Sequence, residues 1–518
     1  MAGSGLLNRL VKLAKIGFAA RRLKQSAIDD DRLRARRALA GLFEDARGVT
    51  MKFGQLMAGG DDDPLAKLVN AVEALPLSKM IPVIEQDLGR PATEVFDGIE
   101  ESTAAASLGQ VHKARLKDGR PVAIKIQYPA IQAAVDTEMT LFGLMPGVGP
   151  VQKWGFDLGG YKAALKANID RELDYRDEAR RQVAFRDAID VPGLIIPGVF
   201  NEYSGRRVLV QDWQDGSPLS AVAKWPDDDR KSAAQILLAT LFQSLFIAGE
   251  VHGDPHAGNY MFKRLDGGGV AVVLVDFGCT VAVAPDKRLA LLKMILALRE
   301  ETPLPALETF AAVGFDAAKL CAISGSLAPL AHILLKPFKT PGVFFVQHWN
   351  LKKDFEQLLG ENRWWFRAAG EPTQILLLRA FHGLVQQLET IQYGVDWWQV
   401  LTDTLPASLL DQARAYRAAE LPAEVSEHVS YVASSLSMAK SLCVVVTEDG
   451  EEIVALTMPA AAALNLENLI PEDVVTYLRQ STEWDLDAIL TTVRASGLQP
   501  QEILSFEKET KSYRIWLE

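Results

Sequence analysis

The chain has 518 residues, 48% of them hydrophobic, which is enough to bury a large core and to build two or three structural units. A formal net charge of -11 argues against general nucleic-acid binding. Three cysteines, at 279, 321 and 443, are too few and too scattered for a disulfide framework or a zinc site, and read as reduced core thiols.

The charge is uneven. Residues 1 to 40 carry ten basic side chains (Arg9, Lys12, Lys15, Arg21, Arg22, Lys24, Arg32, Arg34, Arg36, Arg37) against three acidic ones (Asp29, Asp30, Asp31), a net +7. Leu6, Leu7, Leu10, Val11 and Leu13 give this start an amphipathic helical pattern. Such a helix can lie on an anionic membrane, each basic group contributing about 1 kcal/mol; a solvated helix covering a neighbouring lobe is the other reading. A mitochondrial transit peptide is a third, because Met1 to Ala27 contains no acid, whereas no secretory signal fits an apolar run broken by charges. The nearest approaches to a membrane span, Ser326 to Leu335 and Pro459 to Leu466, fall short of the ~18 apolar residues required, so peripheral membrane contact is the most that is expected.

Four segments are expected: an N-terminal helical extension over residues 1–95, a small mixed lobe over 96–215, a mainly helical lobe over 216–420, and an appendage of unassigned role over 421–518. The mixed lobe opens with Ala104-Ala105-Ala106-Ser107-Leu108-Gly109, followed by a predicted hairpin of Gln110 to Leu116, the turn Asp118-Gly119, and Pro121 to Gln127. Lys125 would face a cleft, although a strand lysine is often only a wet edge residue. A single glycine in the loop before it means that backbone amides have fewer close approaches to a phosphate than a glycine-rich loop allows. Downstream, the charged segment Arg171-Glu172-Leu173-Asp174-Tyr175 offers Glu172 and Asp174 as carboxylates for Lys125. Gln211-Asp212-Trp213 follows the apolar strand Val208 to Val210, where an interlobe hinge would meet adenine.

A helix over Ser232 to Ala248 leads into His252-Gly253-Asp254-Pro255-His256-Ala257-Gly258-Asn259, and Asp276-Phe277-Gly278 follows the apolar run Val272 to Val275. A phosphoryl donor needs its β- and γ-phosphate charge neutralised by Mg²⁺, a hard cation that takes oxygen ligands. Asn259 and Asp276 would supply such ligands, with Asp254 orienting the acceptor. Each piece alone could be a turn or a chance tripeptide; their order and spacing make an ATP site the leading reading. Only Cys279 to Ala284 separate Gly278 from Pro285 and the next helical pattern, too short for a peptide-docking segment. Residues 300–420 are helical by periodicity, and their pairs Trp364-Trp365 and Trp397-Trp398 read as packing. Leu442 to Val446 and Ile453 to Leu456 predict a hairpin, with an acidic α-helical remainder to Glu518.

In order, these motifs resemble the UbiB/AarF family of atypical kinase-like proteins over about residues 45 to 300. The Ala-rich loop is matched by Ala104 to Gly109, the strand lysine by Lys125, the Glu-x-Asp motif by Glu172 and Asp174, the catalytic loop by His252 to Asn259 and the metal-binding aspartate by Asp276. Lys52-Phe53-Gly54-Gln55 matches the family's Lys-x-Gly-Gln motif, and Ala257 stands where the family usually has proline. The resemblance implies an α+β, bilobal protein-kinase-like fold with an N-terminal helical extension and a mainly helical C-terminal lobe. It assigns Lys52, Gln55 and Asp174 to a lid that would block protein-sized substrates. It implies ATP and Mg²⁺ as cofactors and an ATPase or a small-molecule or lipid kinase, acting on a lipid or quinone precursor in quinone biosynthesis or lipid homeostasis. An ATP-binding regulator with vestigial phosphotransfer is the alternative. The expected location is cytoplasmic, peripheral to an inner membrane, or mitochondrial in a eukaryote. An aminoglycoside- or choline-type phosphotransferase fits less well, because it lacks the Lys52 motif and the Ala-rich loop.

Overall fold

The computed structural model describes residues 74–421, apart from 106–107, most of 133–168 and residue 361, together with most of 439–518. The Lys52 to Gln55 motif and the basic segment 1–40 lie outside the described residues, as do Ala106 and Ser107 of the Ala-rich loop.

The smaller lobe is built on a four-stranded antiparallel sheet in the order β1 (Phe96–Ala105), β2 (Gly109–Leu116), β3 (Pro121–Gln127), β5 (Val208–Asp212). The β2–β3 turn falls at Asp118-Gly119, where Gly119 takes a φ of +88° that a side chain would strain. Register runs from Gly109 opposite Gln127 to Arg115 opposite Pro121, as the hairpin pattern predicts. One sheet face buries Val122, Ile124, Ile126, Val208 and Val210, all fully enclosed, against Met80, Val83 and Ile84 of α1 (Leu77–Leu88). Helix α1, assigned from sequence to the N-terminal extension, is therefore part of this core. Gln110 holds the chain that enters the lobe, accepting from the Leu75 amide at 2.8 Å and donating to the Leu75 carbonyl at 2.8 Å.

Across the lobe lies α2 (Tyr175–Ala188), whose first-turn amides are capped by the Asp174 side chain. A short strand β4 (Leu194–Ile195) then pairs in parallel with β8 (Val270–Leu274), which pairs antiparallel with β7 (Tyr260–Arg264). The larger lobe is led by α3 (Asp227–Phe242), continued as a π-helical turn to Ala248. Residues 227–248 form the one segment among the described residues long and apolar enough to cross a membrane, and 56% of its apolar window is buried inside the protein. No stretch of that length was expected from the sequence, and the segment is the central helix of the lobe.

After β9 (Thr280–Ala282) come α4 (Pro285–Arg299), α5 (Ala306–Val313), α6 (Ser324–Leu334), α7 (Leu351–Leu359), α8 (Asn362–Ala369), α9 (Pro372–Ile391), α10 (Trp397–Thr404) and α11 (Ala407–Ala415). Trp365 and Trp397 are fully buried, and Trp397 meets Phe242, Phe338, Trp349 and Phe381 edge-on, so these rings are packing.

The C-terminal segment corrects one expectation. The hairpin of β10 (Ser441–Glu448) and β11 (Glu451–Pro459) is present, but the remainder is not all helical. After α12 (Glu472–Gln480), β12 (Gln501–Lys508) and β13 (Lys511–Leu517) complete a four-stranded sheet in the order β11-β10-β13-β12. The cause is burial at period two: Leu504 and Phe506, then Ile515 and Leu517, are buried, and Ile503 beside Leu504 is buried as well, at the register shift between Glu502 and Leu504.

Candidate active site

Two short loops carry the predicted chemistry, and one ladder holds both. Strand β6 (Glu250–His252) ends at the first loop, β9 (Thr280–Ala282) begins just after the second, and the two pair antiparallel with His252 opposite Thr280. Strands β7 and β8 close the other side of the loops, so Asp254, Asn259 and Asp276 project from backbone fixed at both ends. The predicted short connection holds: the chain passes from Gly278 through β9 directly into α4 at Pro285.

His252 ties one loop to the other through a 2.5 Å hydrogen bond from Nε2 to the Asp276 carbonyl, while its ring meets Phe277 edge-on. Burial pulls the His252 pKa below its ordinary 6.5, against the opposing pull of that carbonyl, so the neutral ring donates. A depressed histidine leaves the folded protein with fewer protons than the unfolded chain below pH 6.5. Stability is therefore expected to fall on acidification through that pH, by up to ~1.4 kcal/mol per pH unit. Denaturant unfolding of wild type and His252→Asn at pH 7.5 and 5.5 checks this, the variant having the shallower dependence.

Lys125 lies where the hairpin places it, on β3. Its Nζ donates to Glu178 Oε1 at 2.7 Å and to Asp276 Oδ2 at 2.8 Å. Burial alone would lower the lysine, but the carboxylates of Asp276 and Glu178 outweigh it and hold the ammonium well above its usual range. The carboxylate on Lys125 is thus Glu178, which corrects the assignment to Glu172 or Asp174. Those two precede the helix. Asp174 is spent as its N-cap and as a partner of Arg176 at 2.7 Å, and Glu172 is buried beside Gly278, its Cγ 3.5 Å from where a Cβ on that glycine would lie.

Counting from the cap, Tyr175, Glu178, Gln182 and Phe185 fall on the buried face of α2. From that face Glu178 accepts the Phe277 amide at 3.3 Å and Phe185 packs on Phe277 at 5.2 Å between ring centroids. Arg181 donates to the Gly278 carbonyl at 3.0 Å. Helix α2 therefore positions Asp276 through three contacts. Glu178→Gln is expected to cost on the order of 3 kcal/mol, the low end for breaking a buried pair, because Asp276 stays on the lysine. Thermal unfolding alongside Asp174→Ala, which removes the cap at a cost of about 1 kcal/mol, separates this from the loss of a cap.

Asn259 donates its amide to the Asp254 carbonyl at 2.9 Å, which presents the side-chain oxygen as an acceptor. With the Asp276 carboxylate this is a hard-oxygen set of the kind Mg²⁺ takes, its remaining ligands coming from phosphate and water. Among the described residues there is no group of three or more His, Cys, Asp or Glu side chains that would hold a metal by itself.

Gly109 is required for a different reason from the predicted one: a Cβ there would sit 2.3 Å from the Ile126 carbonyl and 2.8 Å from the Tyr175 hydroxyl. The β1–β2 strands that flank the Ala-rich loop pair Ala104 with Val111 and Ala105 with Gln110, and Leu108 is buried. At the hinge, the Asp212 amide donates to Gly198 and the Trp213 amide to Pro121, while the Asp212 carboxylate accepts from the Gly198 amide at 2.8 Å. The Trp213 ring lies under the Lys113 ammonium at 4.8 Å. The backbone donors of both residues are thus engaged within the lobe. Gln211, just inside them, accepts from Gln182 at 2.7 Å and donates to the Val275 carbonyl at 3.3 Å, a buried link from α2 to the hinge strand that no motif announces.

Sequence reasoning also missed Arg379 on α9, whose Nη2 donates to Asp254 Oδ1 at 2.7 Å. Nothing local marks a residue so distant along the chain.

This arrangement agrees with comparisons to known proteins. Residues 67–302 match the ABC1 atypical kinase-like domain. The chain is 31% identical over 271 residues to an uncharacterised Synechocystis protein, slr0889, covering 48% of this chain and 65% of that one. It is 28% identical over 247 residues to the mitochondrial atypical kinase coq-8 of Caenorhabditis elegans, covering 46% and 33%. It is 29% identical over 244 residues to AarF domain-containing protein kinase 1 of Xenopus laevis, covering 45% and 47%. The chain thus spans between 33% and 65% of these relatives' lengths. Among solved structures, the Rv3197–erythromycin complex from Mycobacterium tuberculosis shares the fold at a TM-score of 0.50 and 24% identity, over 78% of this chain and 97% of that one. Residues 67–302 thus match an ABC1 atypical kinase-like domain, and over that region the chain resembles atypical kinases of the coq-8 and AarF type.

Proposed function

We propose that the cleft between the lobes carries out Mg²⁺-ATP-dependent phosphoryl transfer to water or to the hydroxyl of a small molecule. The observation that carries this reading is the Lys125 ammonium held between Glu178 and Asp276, with Asp254 and Asn259 on the loop that the same β6–β9 ladder anchors. Bound Mg²⁺ would neutralise charge on the β- and γ-phosphates. Lys125 binds phosphate oxygen and is kept charged by its two carboxylates. Asn259 and Asp276 hold the cation, and Asp254 directs the acceptor hydroxyl. The bond from the γ-phosphorus to the bridging oxygen breaks as the acceptor oxygen bonds to phosphorus; the acceptor proton passes by way of Asp254 to solvent, and ADP leaves.

A small acceptor is supported by the short path from Gly278 through β9 to α4, which leaves no segment there for docking a peptide. A lipid or quinone precursor, and contact of residues 1–40 with an anionic membrane, are proposals drawn from the resemblance and from the net charge of that segment. The test is ADP release by the full chain with Mg²⁺, with and without anionic liposomes and a panel of phenols. Turnover that rises with either addition supports the reading. ATP bound but never turned over would favour an ATP-binding regulator.

A further inference from the structure

Helix α9 lies outside the residues that match the ABC1 domain, yet it is seated on the catalytic loop. Arg379, Gly383 and Gln387 recur every four residues and so share one face of the helix. Arg379 pairs with Asp254 at 2.7 Å, and Gln387 donates to the Pro255 carbonyl at 3.0 Å. Between them Gly383 admits the Pro255 ring, since a Cβ there would fall 2.0 Å from Pro255 Cγ. The approach is too close for any other residue, and it fixes the height of Arg379 over the loop.

The guanidinium is mostly enclosed, its side chain 24% exposed and that of Asp254 16%. Nη2 is on the carboxylate, whereas Nη1 is buried and has no hydrogen-bond partner. A buried donor without an acceptor is costly, and an oxygen brought by a ligand to the Asp254 side of the cleft would satisfy it. Lys125 supplies positive charge from the small lobe; Arg379 is the cation on the Asp254 side.

We propose that Arg379 is a second active-site cation, supplied in cis by α9, which holds Asp254 in position and offers Nη1 to an oxygen of the phosphoryl group during transfer. This inference rests on the phosphotransfer reading above. It makes the helical region after residue 302 part of the reaction centre. Charge accumulates on the equatorial oxygens as the bond to the bridging oxygen breaks and the bond from the acceptor forms, and a preorganised guanidinium stabilises that charge more than the ground state.

The test measures binding of Mg·ADP, with and without aluminium fluoride as a mimic of the group in transfer, by equilibrium dialysis of the full chain. Wild type is expected to bind the aluminium fluoride complex at least ~10-fold more tightly than Mg·ADP, as transition-state mimics do. In Arg379→Gln and Arg379→Lys, Mg·ADP affinity stays within about threefold while the preference is lost or reduced, because a lysine is a point charge and not a fork. In Arg379→Ala, turnover falls on the order of 10²- to 10³-fold and is partly restored by added ethylguanidinium. A preference retained in Arg379→Gln, or absent from a wild type that binds Mg·ADP, overturns the inference alone. A wild type that binds no Mg·ADP overturns the phosphotransfer reading with it.

Discussion

Asp276→Asn is expected to abolish Mg²⁺-ATP turnover, a loss on the order of 10³-fold or more, while leaving the fold intact. The substitution keeps the size of the side chain and removes one charge. That charge is the one carboxylate among the two proposed metal ligands, and Asn259 contributes only a neutral oxygen. Because phosphoryl transfer depends almost entirely on positioning and charge, losing the cation removes the largest contribution to catalysis. The fold should survive: Lys125 keeps Glu178 at 2.7 Å, and the His252 bond runs to the backbone carbonyl of residue 276 rather than to its side chain. The check is steady-state ADP release together with a thermal melt. Wild-type turnover in this variant would remove Asp276 from the metal site.

Asp254→Ala is expected to lower turnover by roughly 10²- to 10⁴-fold, the range for a positioned proton acceptor. In this structure the substitution also leaves the Arg379 guanidinium without its carboxylate, so its effect on nucleotide binding should run opposite to that of Asp276→Asn. Removing a negative charge near the phosphates, with the cation on Arg379 left uncompensated, should leave Mg·ATP affinity unchanged or strengthen it. A fall in kcat at steady KM would therefore mark Asp254 as acting in the transition state, and a KM that also falls would show that its charge opposes the bound nucleotide in the ground state. Turnover equal to wild type would sink its catalytic role.

What was legible in the sequence was local. The Asp118-Gly119 turn set the register of β2 against β3 and thereby placed Lys125, and the apolar run before Asp276 placed that carboxylate at a strand end. Glu178 was legible in principle: once Asp174 is taken as a helix cap, Glu178, Gln182 and Phe185 line up at helical spacing on an inward face. The Glu-x-Asp motif itself, Glu172 and Asp174, lies just before the helix. Arg379 was not legible by any local signal, since its meaning comes from where α9 packs, and Gly383 looks like an ordinary helix-weakening glycine until Pro255 is seen against it. In the C-terminal segment an acidic composition obscured the alternation of Tyr513, Ile515 and Leu517, which pairs β13 to β10 from Lys511 to Leu517. Burial by partners distant in sequence, rather than propensity, decided each of these.

The central claim is that Lys125, Asn259 and Asp276 form one site for a magnesium-bound nucleotide. Calorimetric titration of ATP into the full-length chain, with Mg²⁺ or with EDTA, for wild type and Asp276→Asn, tests it most directly. The account predicts tight binding to wild type with Mg²⁺ that weakens by at least ~10-fold in EDTA, and a variant whose affinity no longer depends on the metal. Equal Mg²⁺ dependence in the two proteins, or no binding to wild type, would contradict it.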